Sequence, residues 1–230
     1  MNITIQVSPP MLNTTLYLTN QTHCVMIDPA HPQTCKTYLE ENNLTPVAVL
    51  LTHSHFDQIA GLEALLPLHP KLPIYIHAAE LDALFSAEKN LSTFVGMDFQ
   101  LPSNANTLPL QNKQKLEIPS PSGSFSFLVY HMPGHSSGSC IYEFTATNNE
   151  KNTNTYLATG DFLFEGTIGR TDLADGSSET MNQSLRTFKD LFQSRLQEHI
   201  QLIPGHAASP ENYSTTLEKE WKTNPYLSRI

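Results

Sequence analysis

Cysteine is scarce in this chain of 230 residues. Cys24, Cys35 and Cys140 are an odd number in no metal-like spacing, which argues against a disulfide-stapled fold and for a reducing compartment. Basic residues are also few. Thirteen Lys and Arg stand against 22 Asp and Glu, a formal charge of −9 and the wrong sign for gripping nucleic-acid phosphates. Long hydrophobic runs are missing too. Stretches such as Pro46–Leu51 and Ile59–Leu66 fall far short of the roughly 20 residues that span a bilayer. The opening Met1-Asn-Ile-Thr-Ile-Gln-Val carries neither a charged leader nor an apolar export segment, so the cytoplasm is the expected location. Nothing in the pattern sets an oligomeric state.

What is present suits one globular domain over residues 1–230. Apolar residues make up 39% of the chain, enough at this length to bury about 70% of the available surface without staples. No repeat of 20 to 50 residues interrupts it. Short β-branched runs predict strands at Ile3–Val7, Thr15–Thr19, Cys24–Asp28 and Val47–Thr52. More follow at Pro73–His77, Ser124–His131, Ser139–Thr145, Tyr156–Thr159 and Gln201–Ile203. Helical spacing predicts helices at Pro32–Glu41, Ile59–Leu66, Ala78–Ala87, Ser178–Leu196 and Thr216–Lys222. The polar stretch Asn90–Gln114, with Pro102 and Pro109, reads as a long loop or lid. Strands bunched toward each end with helices between and after them predict a layered α/β sandwich.

Ten histidines stand out, and several of them sit in polar clusters just behind predicted strands, where loops converge at a sheet edge. The first cluster is Thr52-His-Ser-His-Phe-Asp57, in which His53, His55 and Asp57 alternate and would share one side of an extended loop. The second is His131-Met-Pro-Gly-His135, the third Gly160-Asp161, and the fourth Gly205-His206. Imidazole and carboxylate donors suit zinc and similar divalent ions. Six such donors on four strand ends predict a site for one or two metals. His23, His31, His69, His77 and His199 read instead as surface or core residues, and His131 as a supporting one. Cys24 and Cys140 read as inert buried thiols. Arg170 and Asp172 read as a pair, either buried to hold their loop or catalytic.

These clusters resemble the metallo-β-lactamase superfamily, whose signature is T-H-x-H-x-D-H followed by Gly-His, Gly-Asp and Gly-His elements. The chain is most similar to single-domain relatives of glyoxalase II (hydroxyacylglutathione hydrolase). Ile168-Gly-Arg-Thr-Asp-Leu173 and the tail Thr215–Leu227 add to that likeness, which runs from about residue 14 to the end. The resemblance implies an αβ/βα sandwich of two mixed sheets flanked by helices, without the C-terminal helical domain of full-length glyoxalase II. It puts His53, His55 and His135 on a first metal, Asp57 and His206 on a second, and Asp161 between them. Zinc is the expected ion and iron the alternative. One departure stands at residue 58, where Gln58 replaces the signature's last histidine. An amide oxygen there would be a weaker donor than imidazole, so the second metal is expected to be the more weakly held.

The expected activity is hydrolysis of a small-molecule thioester of glutathione or a related thiol, by attack of a metal-bound hydroxide that Asp57 orients. A thiolate leaves without strong acid help, which fits motifs that offer no spare acid. A mononuclear-iron persulfide dioxygenase on His53, His135 and Asp161 is the rival enzyme. A degenerate binding protein is the rival outside enzymes, supported by Gln58 alone. A β-lactamase is disfavoured by the missing export signal, and a nuclease by the acidic charge.

Overall fold

The computed structural model describes residues 1–230. Six strands build one half of the β-structure in chain order: β1 (Asn2–Ser8), β2 (Asn13–Asn20), β3 (His23–Ile27), β4 (Thr45–Leu50), β5 (Ile74–His77) and β6 (Thr107–Leu110). The other half holds β7 (Lys115–Ser120), β8 (Gly123–His131), β9 (Cys140–Thr147) and β10 (Thr153–Gly160). A small hairpin, β11 (Leu163–Phe164) and β12 (Thr167–Ile168), precedes its last two strands, β13 (Gln201–Pro204) and β14 (Thr215–Thr216). Both halves mix parallel and antiparallel pairs. They join through one parallel pairing, Asn2 with Thr147.

Period-two alternation explains the layers. In β2, Leu16 and Leu18 enter the apolar cluster between the two halves, while Tyr17 enters the cluster on the outer face. In β4, Ala48 and Leu50 face inward and Val49 outward, as does Leu51 just beyond its end. The second half repeats this, with Tyr142 and Ala158 inward and Ile141 and Leu157 outward. Strands buried on both faces cannot alternate with polar residues, so they read as continuous apolar runs. The outer faces are covered by α1 (Pro32–Glu41), α2 (Phe56–Ile59) and α3 (Leu62–Leu65) on one side. On the other lie α4 (Ser178–Phe192), α5 (Leu217–Thr223) and α6 (Pro225–Ser228). This is the expected αβ/βα sandwich. Its exposed surface, 10408 Å², agrees with the roughly 10,000 Å² that size scaling gives. No helix is long and apolar enough to cross a membrane.

Local chemistry explains most boundaries. Pro32 sits at the first turn of α1, and the His31 ring accepts the Thr34 N–H at 3.3 Å as a cap. Ser177 caps α4 through Thr180 N–H. Four expectations need correction. The Ile59–Leu66 helix is two single turns, α2 and α3, divided at Gly61. There the backbone closes on Pro29, and Gly61 N–H donates to the Pro29 carbonyl at 2.7 Å, which leaves no space for a side chain. Ala78–Phe85 is a 3-10 helix. The Asn90–Gln114 loop contains a 3-10 turn, Ser92–Val95, and the strand β6. With β7, which had no expectation, β6 is an edge strand, and both carry a proline (Pro109, Pro119) that such positions tolerate. Finally, α4 ends at Phe192 and continues as a 3-10 turn to Glu198.

That turn is held by Arg195, which donates to Glu143 Oε1 and Oε2 at 2.8 and 3.0 Å, while the Tyr130 hydroxyl donates to Oε2 at 2.7 Å. Burial alone would raise the Glu143 carboxyl, but the Arg195 and Tyr130 hydrogen bonds outweigh it and hold it below the ordinary range. A lowered carboxylate stabilises the fold above its unfolded pKa, and that contribution disappears as pH falls through the folded value. Urea titrations from pH 7 to 3 should show a loss of stability in wild type that is smaller in Glu143→Gln.

Candidate metal centre

All four sequence clusters arrive at one edge of the sandwich, on segments leaving β4, β8, β10 and β13. His53 and His55 follow β4 in extended backbone, but Asp57 reaches the site from the first turn of α2, not from an extended loop. His135 follows β8 through Gly134, whose φ of 143° lies in the left-handed half of the map. A side chain at 134 would also stand 2.5 Å from the Met181 backbone of α4. Gly134→Ala should therefore cost several kcal/mol, about 2 to 4 by analogy with overpacked cores, read as a lower urea midpoint.

The rings of His53, His55 and His135 form a mutual edge-on triangle with centroids 4.7, 4.9 and 4.7 Å apart. One nitrogen from each lies within 4.8 Å of the others, and all three residues are buried. Outward hydrogen bonds orient two of the rings. His135 Nδ1 donates to the Arg170 carbonyl at 2.9 Å, leaving Nε2 bare and 2.9 Å from His55 Nδ1. His53 Nδ1 lies 3.1 Å from Thr52 Oγ1, and the Thr52 hydroxyl donates to Asp28 at 2.7 Å. Burial, then the neighbouring His55 and His135, keep the His53 imidazole well below its ordinary pKa. Burial, and after it the neighbouring His135 ring, also hold the His55 imidazole below its ordinary pKa. Neutral imidazoles are what metal binding needs.

Asp161 Oδ2 lies 3.5 Å from both His135 Nε2 and His206 Nε2, so it stands between two groups of donors. Asp57 Oδ2 lies 3.2 Å from His206 Nε2 and accepts the Asn13 amide at 3.0 Å. Burial would raise the Asp57 carboxyl, but His206 and Asn13 hold it low. For His206, burial would lower the ring, yet Asp161 and Asp57 push it up to about 11. Gln58 is fully buried beside His206. His53 Nε2 and Asp161 Oδ1 are buried without any hydrogen-bond partner. Such orphans are costly unless a cation takes their lone pairs. The donor set, imidazole and carboxylate, therefore fits a divalent metal.

Several residues in and around this site carry no sequence signal of their own. Asn13 comes from β2, on the far side of the chain order. Asp28, at the end of β3, accepts both the backbone N–H and hydroxyl of Thr52; burial first, with Asp161 and Asp57, pushes it up to about 7 against those bonds. Glu80 is buried on the 3-10 helix after β5 and accepts Ser54 N–H at 2.6 Å and Gly138 N–H at 2.7 Å. It ties the His53–His55 loop to the His135 loop. Asp175 lies 4.0 Å from His55 Nε2. The Arg170–Asp172 pair, at 2.7 Å, is exposed on both sides and not a buried ion pair; the Arg170 carbonyl, not its guanidinium, meets the site. His131 Nε2 donates to the Ser137 carbonyl at 2.9 Å and the ring stacks on His77 at 3.7 Å, outside the donor cluster. The three thiols are free and buried.

Comparison with known proteins gives a consistent pattern. The sequence model of the metallo-beta-lactamase superfamily matches residues 9–206. An uncharacterized protein of Mycobacterium tuberculosis is 34% identical over 217 residues, 91% of this chain and 89% of that one. The hydroxyacylglutathione hydrolase GloC of Haemophilus influenzae is 32% identical over 218 residues, 94% of this chain and 92% of its own. Among solved structures, the BLEG-1 B3 metallo-beta-lactamase superposes with a TM-score of 0.78 and 28% identity, covering 98% of this chain and 99% of that one. TTHA1623, crystallised in a di-iron-bound form, gives a TM-score of 0.73 at 26% identity, covering 97% of this chain and all of the other (100%).

Proposed function

Because the chain belongs to the metallo-β-lactamase superfamily, we propose that it is a metal-dependent hydrolase of thioesters of glutathione or a related small thiol. The observation that carries the metal is the buried triangle of His53, His55 and His135 beside the partnerless Asp161 Oδ1. The thioester reading is supported by the likeness to a hydroxyacylglutathione hydrolase along nearly the whole chain. Zinc is the proposed ion, held by the three histidines and Asp161. Asp57 and His206 are the proposed donors for a second ion. A reducing cytoplasm suits three free thiols.

When bound, a divalent metal supplies a Lewis acid that lowers the pKa of water toward neutrality and polarises an acyl oxygen. The protein supplies the rest. Asp57, fixed by the Asn13 amide and held ionised, accepts a hydrogen bond from the attacking water and sets its direction. His53 and His135 are buried, so charge developing beside them would meet few bulk waters. A thiolate leaving group, with a pKa of roughly 8.5, departs without a strong acid.

The test is a panel of thioesters, S-D-lactoylglutathione first, offered to protein stripped and then reloaded with zinc or with iron. Turnover that requires the metal supports the reading. No turnover on the panel, with sulfite produced from glutathione persulfide under oxygen by the iron form, would replace hydrolysis with the dioxygenase chemistry.

A further inference from the structure

Resting on the thioester reading above, we infer that Phe94, Val95 and Met97 form the wall that receives the substrate's acyl group, and that the preferred acyl group is apolar and several carbons long. Their exposure is the first observation. Phe94 is 79% exposed, Val95 64% and Met97 45%. A single exposed apolar side chain is ordinary, but three within four consecutive positions make a patch that calls for an occupant. The run Leu91–Met97 also contains no charged residue.

The second observation is where the patch sits. β4 and β5 are parallel neighbours, so the segments leaving their C-terminal ends emerge at one edge of the sheet. β4 leads to His53 and His55, and β5 to the stretch that carries Phe94. The two segments are joined directly. Phe56 N–H, between His55 and Asp57, donates to the Asn90 carbonyl at 2.7 Å. The Phe56 ring also packs against Phe99, with centroids 5.2 Å apart.

The third observation is that the patch is held in place. Asn90 and Ser92 are fully buried polar residues. Asn90 donates to the Phe99 carbonyl at 2.9 Å and accepts Ser92 N–H at 3.0 Å. The Ser92 hydroxyl donates to the Ala87 carbonyl at 3.2 Å and accepts Phe99 N–H at 3.1 Å. Between them Leu91 takes a φ of 65°, a backbone that leucine adopts only where its surroundings impose it. A wall fixed beforehand spares the ordering cost of binding. Its chemistry selects the occupant. A thiol such as glutathione carries carboxylates and an ammonium, which gain nothing from an uncharged apolar surface. The acyl arm of the thioester is the part that does.

The experiment compares S-acetyl-, S-butyryl- and S-hexanoylglutathione on metal-loaded wild type, Phe94→Ala and Phe94→Leu. Full burial of a methylene gives about fourfold, and an open wall should give about half of that. Wild type should therefore favour hexanoyl over acetyl by about 10-fold in kcat/KM. Phe94→Ala should erase most of that preference, chiefly through KM, and change acetyl turnover by less than about twofold. Phe94→Leu should retain most of it. Calorimetry with the unreactive thioethers S-methyl- and S-hexylglutathione reads the same wall without turnover. Hydrolysis that ignores chain length, or a preference that survives in Phe94→Ala, would overturn the inference and leave hydrolysis standing. If no thioester turns over, the thioester reading fails and binding decides the wall. S-hexylglutathione bound no tighter than S-methylglutathione would then overturn it, and tighter binding that Phe94→Ala removes would support it. A wild-type dimer that Phe94→Ala separates, seen by light scattering, would give the patch to a second copy and overturn the inference as well.

Discussion

Glu80→Ala should lower stability by about 2 to 6 kcal/mol and weaken metal binding 10- to 100-fold, although Glu80 is no ligand. Its two carboxylate oxygens accept Ser54 N–H and Gly138 N–H, and both donors lie in buried backbone. Removing the acceptor leaves two buried N–H groups without partners, each costing about 1 to 3 kcal/mol. It also frees the loop of His53 and His55 from the loop of His135, so the three rings lose their fixed spacing. Glu80→Gln keeps one acceptor but sets an NH2 against the other N–H, and should fall between the two. Urea midpoints and competition with a metal-sensitive dye measure both effects. Wild-type values in Glu80→Ala would mean the loops are held apart from Glu80.

Asp57→Asn should cut kcat for thioester hydrolysis by about 10²- to 10³-fold, the usual loss when one oriented polar group is removed from a transition state. Asparagine preserves the volume and can still accept from Asn13, but it loses the charge that orients water and that faces His206 at 3.2 Å. KM should change little, since ground-state binding does not run through this carboxylate. The ion on the three-histidine side should stay, because none of its donors changes. Loss of that ion together with activity would make Asp57 a ligand of the retained metal; loss of kcat with the metal count unchanged assigns it to the water.

Much of this was legible in the chain itself because the signals are local. Pro32, Cys35 and Leu39 define α1 through a turn-starting proline and one apolar face, and the structure has it at Pro32–Glu41 as the pattern predicts. The β4 run reads as a strand because it is buried on both faces. His53, His55, Asp57, His135, Asp161 and His206 stood out because residue types that bind metal recur behind strands, and strand ends meet at one edge. Other features had no local signature. β6 and β7 are short edge strands that contain proline and make few demands on sequence. Asn13, Asp28 and Glu80 are ordinary polar residues whose importance is a matter of what lies opposite them, at sequence separations of 44, 24 and 58 residues. The sequence alone determined which donors are available and that Gln58 departs from the signature. Only the tertiary structure decided which end of the Gln58 amide faces His206, because that depends on a carbonyl 147 residues away that can accept a proton but never offer one.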